Sequence, residues 1–226
     1  MTKKGSASPV GLYIKLGPDY AMDILTKDLK QIALVINHDK HKRNMHAIEL
    51  AVNEDDEEFK DKAKALTGFA KHNGIAVVLR GHPELAQEIE AEGVLLEDWD
   101  LLDAAREIFG HDKGLIGLYC ENDPDKSAAA FDADVDFVSF GMKKGGLPAV
   151  EALKFWNMLT PKPAVVEGPV TNDHAAYYIE NGAGFLSAAD YIWSHPKGVM
   201  QGTVNMLHAI ELALEEKNAD NAASKN

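Results

Sequence analysis

The chain has 226 residues, 46% of them hydrophobic, with 23 Lys+Arg against 36 Asp+Glu and a formal net charge of −13. That length suits one large domain, and α/β barrels often run this long as a single unit with a core that needs no disulfide or metal staple. The negative balance argues against nucleic acid and anionic membranes as partners but leaves room for a local cluster of donors around a phosphorylated ligand. A lone cysteine, Cys120, excludes an intramolecular disulfide framework and a cysteine-based zinc site.

Residues 1–9 read as a flexible tail, positively charged but with no apolar run behind it that would make a signal peptide. The chain then alternates short apolar runs with amphipathic stretches. The runs lie at 10–16, 32–36, 75–79, 93–96, 115–119, 137–140, 164–166 and 184–188. Nearly continuous apolar runs of this length suit strands covered on both faces, as in parallel sheets. Helical spacing or helix-start signals fall at 20–30, 55–71, 83–91, 99–109, 125–131, 147–159, 173–181 and 198–216. Eight β–α units predict a (β/α)8 TIM barrel spanning residues 10–216 as a single domain, with a polar, frayed tail at 217–226. An open doubly wound sheet is the alternative, but Leu16-Gly17-Pro18-Asp19 lacks the glycine fingerprint that sheet wants after its first strand. No apolar run reaches the length of a membrane span, and the expected location is the cytoplasm.

In a barrel of this kind the chemistry sits at the C-terminal ends of the strands. The densest acidic group there is Glu97, Asp98 and Asp100, which suits acid–base work or Mg²⁺, or alternatively an acidic helix start with Asp98 or Asp100 as its cap. Arg80 and His82 follow the third strand and could hold an anion or carry a proton; the alternative is salt bridging to Glu97 or Glu121. Lys143-Lys144-Gly145-Gly146 is a flexible basic loop able to take a phosphate or simply to sit in solvent. His38, His41 and His46 stand among Lys40, Lys42 and Arg43, which repel a cation, so a basic loop is favoured over a metal site. Cys120 ends a buried strand and reads as a packed thiol. Gly182-Ala183-Gly184 reads as the join between the seventh helix and the eighth strand.

Three stretches carry a resemblance: residues 74–86, residues 92–100 with Ala105-Arg106 and Ile116-Gly117 behind them, and residues 182–196. Together they resemble the thiamine-phosphate synthase family, which also contains thiazole tautomerases. The resemblance implies the barrel fold and an enzyme that joins a pyrimidine diphosphate to a thiazole phosphate with Mg²⁺, releasing pyrophosphate. It places Asp100 at a metal-linked aspartate of the family. The chain departs from the pattern elsewhere. Arg80-Gly81 stands for an Asn-Asp pair, Leu95-Leu96-Glu97-Asp98 for His-Leu-Gly-Gln, and Val35-Ile36-Asn37-His38-Asp39 for a basic motif after the second strand. Gly141 to Gly146 replaces the family's diphosphate loop, Glu167-Gly168-Pro169 its Gly-Gly turn, and Ala189-Asp190 its phosphate-binding Ser-Ser. Cys120-Glu121 stands where the tautomerase branch has a histidine.

These departures predict a divergent barrel with a remodelled active site. It is expected to act on a small molecule related to thiamine metabolism rather than as an ordinary synthase. Candidate catalytic residues are Glu97, Asp98, Asp100, His82 and Glu121; candidate substrate-binding residues are Arg80, Lys143, Lys144 and Gly168; Asp100 is the candidate metal ligand, with Mg²⁺ the ion if synthase activity is retained. The alternatives are genuine synthase activity on substitute residues and a non-catalytic ligand-binding or regulatory barrel. The expected partner is a small-molecule ligand, with no nucleic acid and no membrane, and a homo-oligomer is compatible with the sequence.

Overall fold

A computed structural model describes residues 10–17, 22–38, 45–53, 55–110 and 113–223. Eight parallel strands close in sequence order into a barrel. They are β1 Gly11–Leu16, β2 His46–Leu50, β3 Ile75–Arg80, β4 Gly93–Leu96, β5 Leu115–Glu121, β6 Phe137–Phe140, β7 Ala164–Val166 and β8 Phe185–Leu186. The helices between and after them are α1 Met22–Ile36, α2 Phe59–His72, α3 Pro83–Glu88, α4 Leu102–Phe109, α5 Pro124–Asp132, α6 Glu151–Leu159, α7 Ala175–Glu180, α8 Ala189–Trp193 and α9 Val199–Ala223. Short 3-10 turns at Trp99–Leu101 and Asn172–His174 lead into α4 and α7. Among the described residues no helix is long and apolar enough to cross a membrane.

Strand alternation explains the near-continuous apolar runs. Leu12, Ile14, Val77, Leu79 and Val94 turn outward into the layer between barrel and helices, while Tyr13, Val78, Leu95, Phe137 and Val165 fill the interior. Both faces are covered, so both take apolar side chains. The interior is closed by aromatic rings lying against glycine. A Cβ at Gly117 would fall 2.2 Å from the Phe137 ring, and one at Gly11 would fall 2.6 Å from the Phe185 ring. The rings occupy the volume that side chains at 11 and 117 would otherwise need.

The structure corrects the sequence reading at the second unit. The apolar run at 32–36 is the last part of α1, with Leu29, Ile32, Ala33 and Ile36 buried at helical spacing and Leu34 exposed. The second strand lies in His46–Leu50, paired over four residues with β1 and five with β3. His46 is therefore not a loop residue. It is buried in β2, and its Nδ1 accepts the Leu12 backbone N–H at 3.1 Å. His41 and the neighbouring basic residues lie outside the described residues, as do residues 1–9. The motif compared with Val35–Asp39 is likewise misplaced, because it follows α1 rather than a strand. The loop that does follow β2 begins Ala51-Val52-Asn53 and carries no cation.

Two smaller differences concern the C-terminal part. The eighth strand is only Phe185–Leu186, followed directly by α8, and the last helix runs on through the expected tail to Ala223. The barrel closes there on a narrow seam, with β1 and β8 in register over two residues. Other bonds supplement it: Gly11 N–H donates to the Gly184 carbonyl at 3.0 Å, and Trp193 Nε1 donates to the Lys15 carbonyl at 3.0 Å.

The ring-on-glycine packing yields a stability prediction. Gly117→Ala forces the Phe137 ring to shift in a filled interior and is expected to cost about 1–3 kcal/mol. The check is a lowered urea midpoint with an unchanged slope.

Candidate active site at the barrel mouth

Because successive side chains alternate across each strand, one more step along the inward face brings the barrel interior to its mouth. That step is polar. It carries Lys15 from β1, Glu49 from β2, Arg80 from β3, Ser139 from β6 and Glu167 just past β7. Arg80 is the centre of the group. Its Nε donates to Glu49 Oε1 at 2.6 Å and its Nη2 to Glu49 Oε2 at 3.0 Å. The same Nη2 reaches both Glu167 oxygens, at 2.7 and 2.8 Å, and Nη1 donates to Glu97. Lys15 Nζ donates to Glu167 Oε2 at 2.6 Å, and Ser139 Oγ donates to the other Glu167 oxygen. The Arg80 guanidinium also lies 5.4 Å from the centre of the Tyr119 ring.

The electrostatics follow from burial and partners. The Glu49 carboxyl is shifted above the usual carboxylate range by burial and then by the Glu167 charge, which outweigh Arg80 and Lys15. Glu167 is also penalised by burial, but Arg80 and Lys15 together hold it below that range. Burial opposes the charge on Arg80, yet Glu49 and Glu167 raise its pKa above the ordinary value, so it remains a fixed cation. Tyr119 is raised to about 12 by burial and the Glu167 charge. The Tyr13 phenol is raised well above its ordinary value by burial and then Glu49, and its hydroxyl makes no well-formed hydrogen bond.

Above this group opens a cavity of about 810 Å³, lined by residues that include Lys15, Arg80, Glu97, Asp98, Tyr119, Glu121, Lys143, Glu167, Gly168 and Trp193. Its size is that of a small-molecule site. Six of the residues singled out from sequence meet here: Arg80, Glu97, Asp98, Glu121, Lys143 and Gly168. Glu97 and Asp98 are exposed, and Asp98 caps the 3-10 turn by accepting the Asp100 N–H at 3.0 Å. Glu121 does not reach Arg80. It sits at a bulge of β5 with φ of 54° and pairs with Lys126 and with Lys143, the latter at 3.0 Å. Those two lysines hold its carboxyl below the usual range, Lys126 foremost. A bulge redirects a side chain, and here it turns Glu121 to the rim. Gly168, with φ of 150°, meets the Gly146 carbonyl so closely that a Cβ would fall 2.7 Å from it. This contact joins the loops after β6 and β7.

Asp100, His82 and Lys144 stand outside the cavity lining and are exposed. His82 occupies the left-handed cap position of α3, with φ of 50°. Cys120 is buried, and burial pushes its thiol up to about 12, which suits a packed thiol. The residues not selected from sequence are those beneath the rim: Lys15, Tyr13, Glu49, Tyr119, Ser139 and Glu167, with Lys126 and Trp193 at the wall.

The Mg²⁺ implied by resemblance can be tested against these donors. Magnesium needs carboxylate oxygens free to enter its shell. Glu49 and Glu167 are saturated by Arg80 and Lys15, Glu121 by two lysines, and Asp98 gives one oxygen to a backbone N–H. Among the described residues no three His, Cys, Asp or Glu side chains are grouped to hold a metal. The mouth as built does not fit a resident divalent ion.

The buried pairs predict opposite responses to pH. Glu167 has a depressed folded pKa, so its stabilisation is present above the usual carboxylate pKa and is lost as pH falls through the folded value. Glu49 has a raised one, so its stabilisation is present below the usual pKa and is lost as pH rises through the folded value. Urea midpoints across the acid range should therefore show a shallower acid-side loss in Glu167→Gln and a shallower decline with rising pH in Glu49→Gln. Arg80→Met takes the shared cation from both acids, leaving Glu167 to Lys15 and Glu49 with Lys15 only at 3.8 Å, and is expected to cost about 3–5 kcal/mol at neutral pH, read by the same unfolding measurement.

Comparison with known proteins adds three findings. A family model described as thiamine monophosphate synthase matches residues 31–192. A thiamine-phosphate synthase of Hyphomonas neptunium is 32% identical over 143 residues, which are 59% of this chain and 64% of that protein, less than two thirds of its length. One of Rhodospirillum centenum is 26% identical over 151 residues, covering 63% of this chain and 72% of that protein. Among solved structures, a thiamine phosphate pyrophosphorylase from Pyrococcus furiosus superposes with a TM-score of 0.71 at 15% identity, over 92% of this chain and 98% of that one. A 3-hexulose-6-phosphate synthase from Salmonella typhimurium also scores 0.71, at 14% identity over 89% and 99% of the two chains. Likeness at such identities speaks for the fold alone.

Proposed function

The chain belongs to the thiamine monophosphate synthase family, and from that premise we propose that it is a small-molecule enzyme of thiamine-related metabolism. In this reading its mouth is rebuilt for a ligand less negatively charged than a diphosphate and a phosphate together. The charge inventory carries it. Five carboxylates line the cavity, Glu97, Asp98, Glu121, Glu167 and Asp190, against four cations, Lys15, Arg80, Lys126 and Lys143. Each of those cations already has a carboxylate partner. A diphosphate entering this mouth has to displace a carboxylate from every cation it takes, and meets the remaining acids in a partly desolvated space.

The proposed roles follow from exposure and pairing. Arg80 and the acids beneath it form a rigid, nearly neutral floor. Glu97 takes Arg80 on one oxygen, and no bond to its second oxygen is made among the described residues, so it is the acid–base group best placed to meet a ligand. Asp98 and Glu121 flank it. Lys143 and the backbone around Gly168 supply donors for a single anionic or carbonyl group, while Tyr119 and Trp193 offer aromatic wall. Asp100, His82 and Lys144 act at the approach to the mouth. No step in this scheme passes through a metal ion.

Genuine synthase activity is a second reading, favoured by a cavity roomy enough for two heterocycles and by the relatives above. The two readings separate in one experiment. Purified protein is mixed with the pyrimidine diphosphate and thiazole phosphate precursors and Mg²⁺, and pyrophosphate release is measured. The same precursors without their phosphates are tested for binding by thermal shift. Binding of the dephosphorylated heterocycles with no pyrophosphate release is expected. Mg²⁺-dependent release that Asp98→Asn abolishes would instead establish the synthase reading. Where a turnover is found, Glu97→Gln should lower kcat by about 10²–10⁴-fold without changing the melting temperature; binding without any turnover, unaffected by that variant, marks a non-catalytic barrel.

A further inference from the structure

At the rim of the mouth, two lysines from different elements meet on one carboxylate oxygen. Lys126, in the first turn of α5, donates to Glu121 Oε1, and Lys143, in the loop after β6, places its Nζ 3.0 Å from the same atom. The other two mouth cations, Lys15 and Arg80, are held by the acids of the floor. The rim pair is the more accessible one: the side chain of Lys143 is 70% exposed and that of Lys126 39%. Glu121 reaches this place through an unusual backbone. The register of β5 against β6 shifts between Tyr119 and Glu121, and Glu121 has a φ of 54°. A residue with a Cβ keeps that left-handed conformation only where its surroundings hold it there.

We propose that Glu121 is a specificity-determining residue: its carboxylate occupies the place between Lys126 and Lys143 that a phosphate group of a ligand would take, and so turns the mouth against phosphorylated ligands. This rests on the reading of a less negatively charged ligand given above and names the residue that discriminates.

Three features support it. Two ammonium groups on one oxygen are the donor arrangement that a phosphate oxygen accepts, through charge-assisted hydrogen bonds. Room for the remaining phosphate oxygens lies beside them, because Gly145 and Gly146 line the same cavity and a Cβ on either would meet nothing within 4 Å. Glu121 also keeps its charge, since Lys126 and then Lys143 hold its carboxyl below the usual range. A neutral carbonyl can share Lys143 with that carboxylate. A phosphate monoester brings a charge of about −1.5 to −2 at neutral pH against it and must displace it.

The test titrates the full chain, kept in chelator, with inorganic phosphate in a calorimeter. Glu121→Gln should bind phosphate about ten- to a hundredfold more tightly than wild type, the gain expected when a charge-assisted hydrogen bond becomes available. Glu121→Gly, which suits the left-handed backbone, should show the same gain, and a matching urea midpoint checks that each variant is folded. Adding Lys126→Met and Lys143→Met should remove it. Asp98→Asn takes one negative charge from the same mouth and keeps a good cap, so its phosphate affinity should stay at the wild-type level. A gain in Glu121→Gln when neither dephosphorylated heterocycle binds supports the role of Glu121 and counts against the ligand reading alone. Three results overturn the proposal: wild type binding phosphate as tightly as Glu121→Gln, an equal gain in Asp98→Asn, or a gain that survives loss of both lysines.

Discussion

Two carboxylates buried at the same level of a parallel barrel repel each other and lose hydration, and a fold can hold both charges only if a cation sits between them; otherwise one takes up a proton. Glu49 and Glu167 are in that position, and Arg80 is the cation. The rest of the mouth follows from this one pairing. Lys15 adds a second positive charge against Glu167, Ser139 donates its hydroxyl to the same carboxylate, and Glu97 draws the third nitrogen of the guanidinium toward the rim. The result is a floor with little residual charge to offer a ligand. Strong attraction for a polyanion would require this set to come apart.

That constraint divides the cavity into two zones. Below, the side chains are buried and mutually satisfied, with their pKa values set by one another. Above, Glu97, Asp98, Glu121 and Lys143 are exposed to varying degrees and can exchange partners with a ligand at little cost. The barrel architecture places the cavity at the C-terminal ends of the strands, but what a cavity recognises is set by its local charges rather than by the fold. A barrel whose superposition serves a thiamine phosphate pyrophosphorylase and a hexulose phosphate synthase equally well, at a TM-score of 0.71 in each case, illustrates the point.

Seven of the eight strands were legible because each buries both faces and therefore reads as an apolar run. β2 was not, because its lumen face carries Ala47 and Glu49 and its outer face begins with His46, leaving no run to see. The apolar stretch at 32–36 took its place. The distinguishing signal was the continuation of buried positions from Leu29 through Ile32, Ala33 and Ile36, a helical period that strand alternation cannot produce. With β2 misplaced, Glu49 could not be recognised. Lys15 was visible as a single charge in an otherwise apolar strand, which in a closed barrel marks a side chain turned toward the lumen near its open end. Arg80, Glu97, Asp98 and Glu121 were found because they stand at strand ends. Which acid pairs with which cation depends on the tilt and stagger of the closed barrel, and on the bulge at Glu121, none of which linear spacing reveals.

The seam between β1 and β8 gives these charges a second significance. Only two residues pair across it, so little backbone ladder holds the circle shut. Lys15 on β1 reaches over β8 to Glu167 beyond β7, and Trp193 on α8 clasps the Lys15 carbonyl. The side chains at the mouth thus act as a clasp across the short eighth strand, which pairs over two residues with each neighbour. The lysine that lines the cavity is therefore also one of the groups that bridge the seam of the barrel wall.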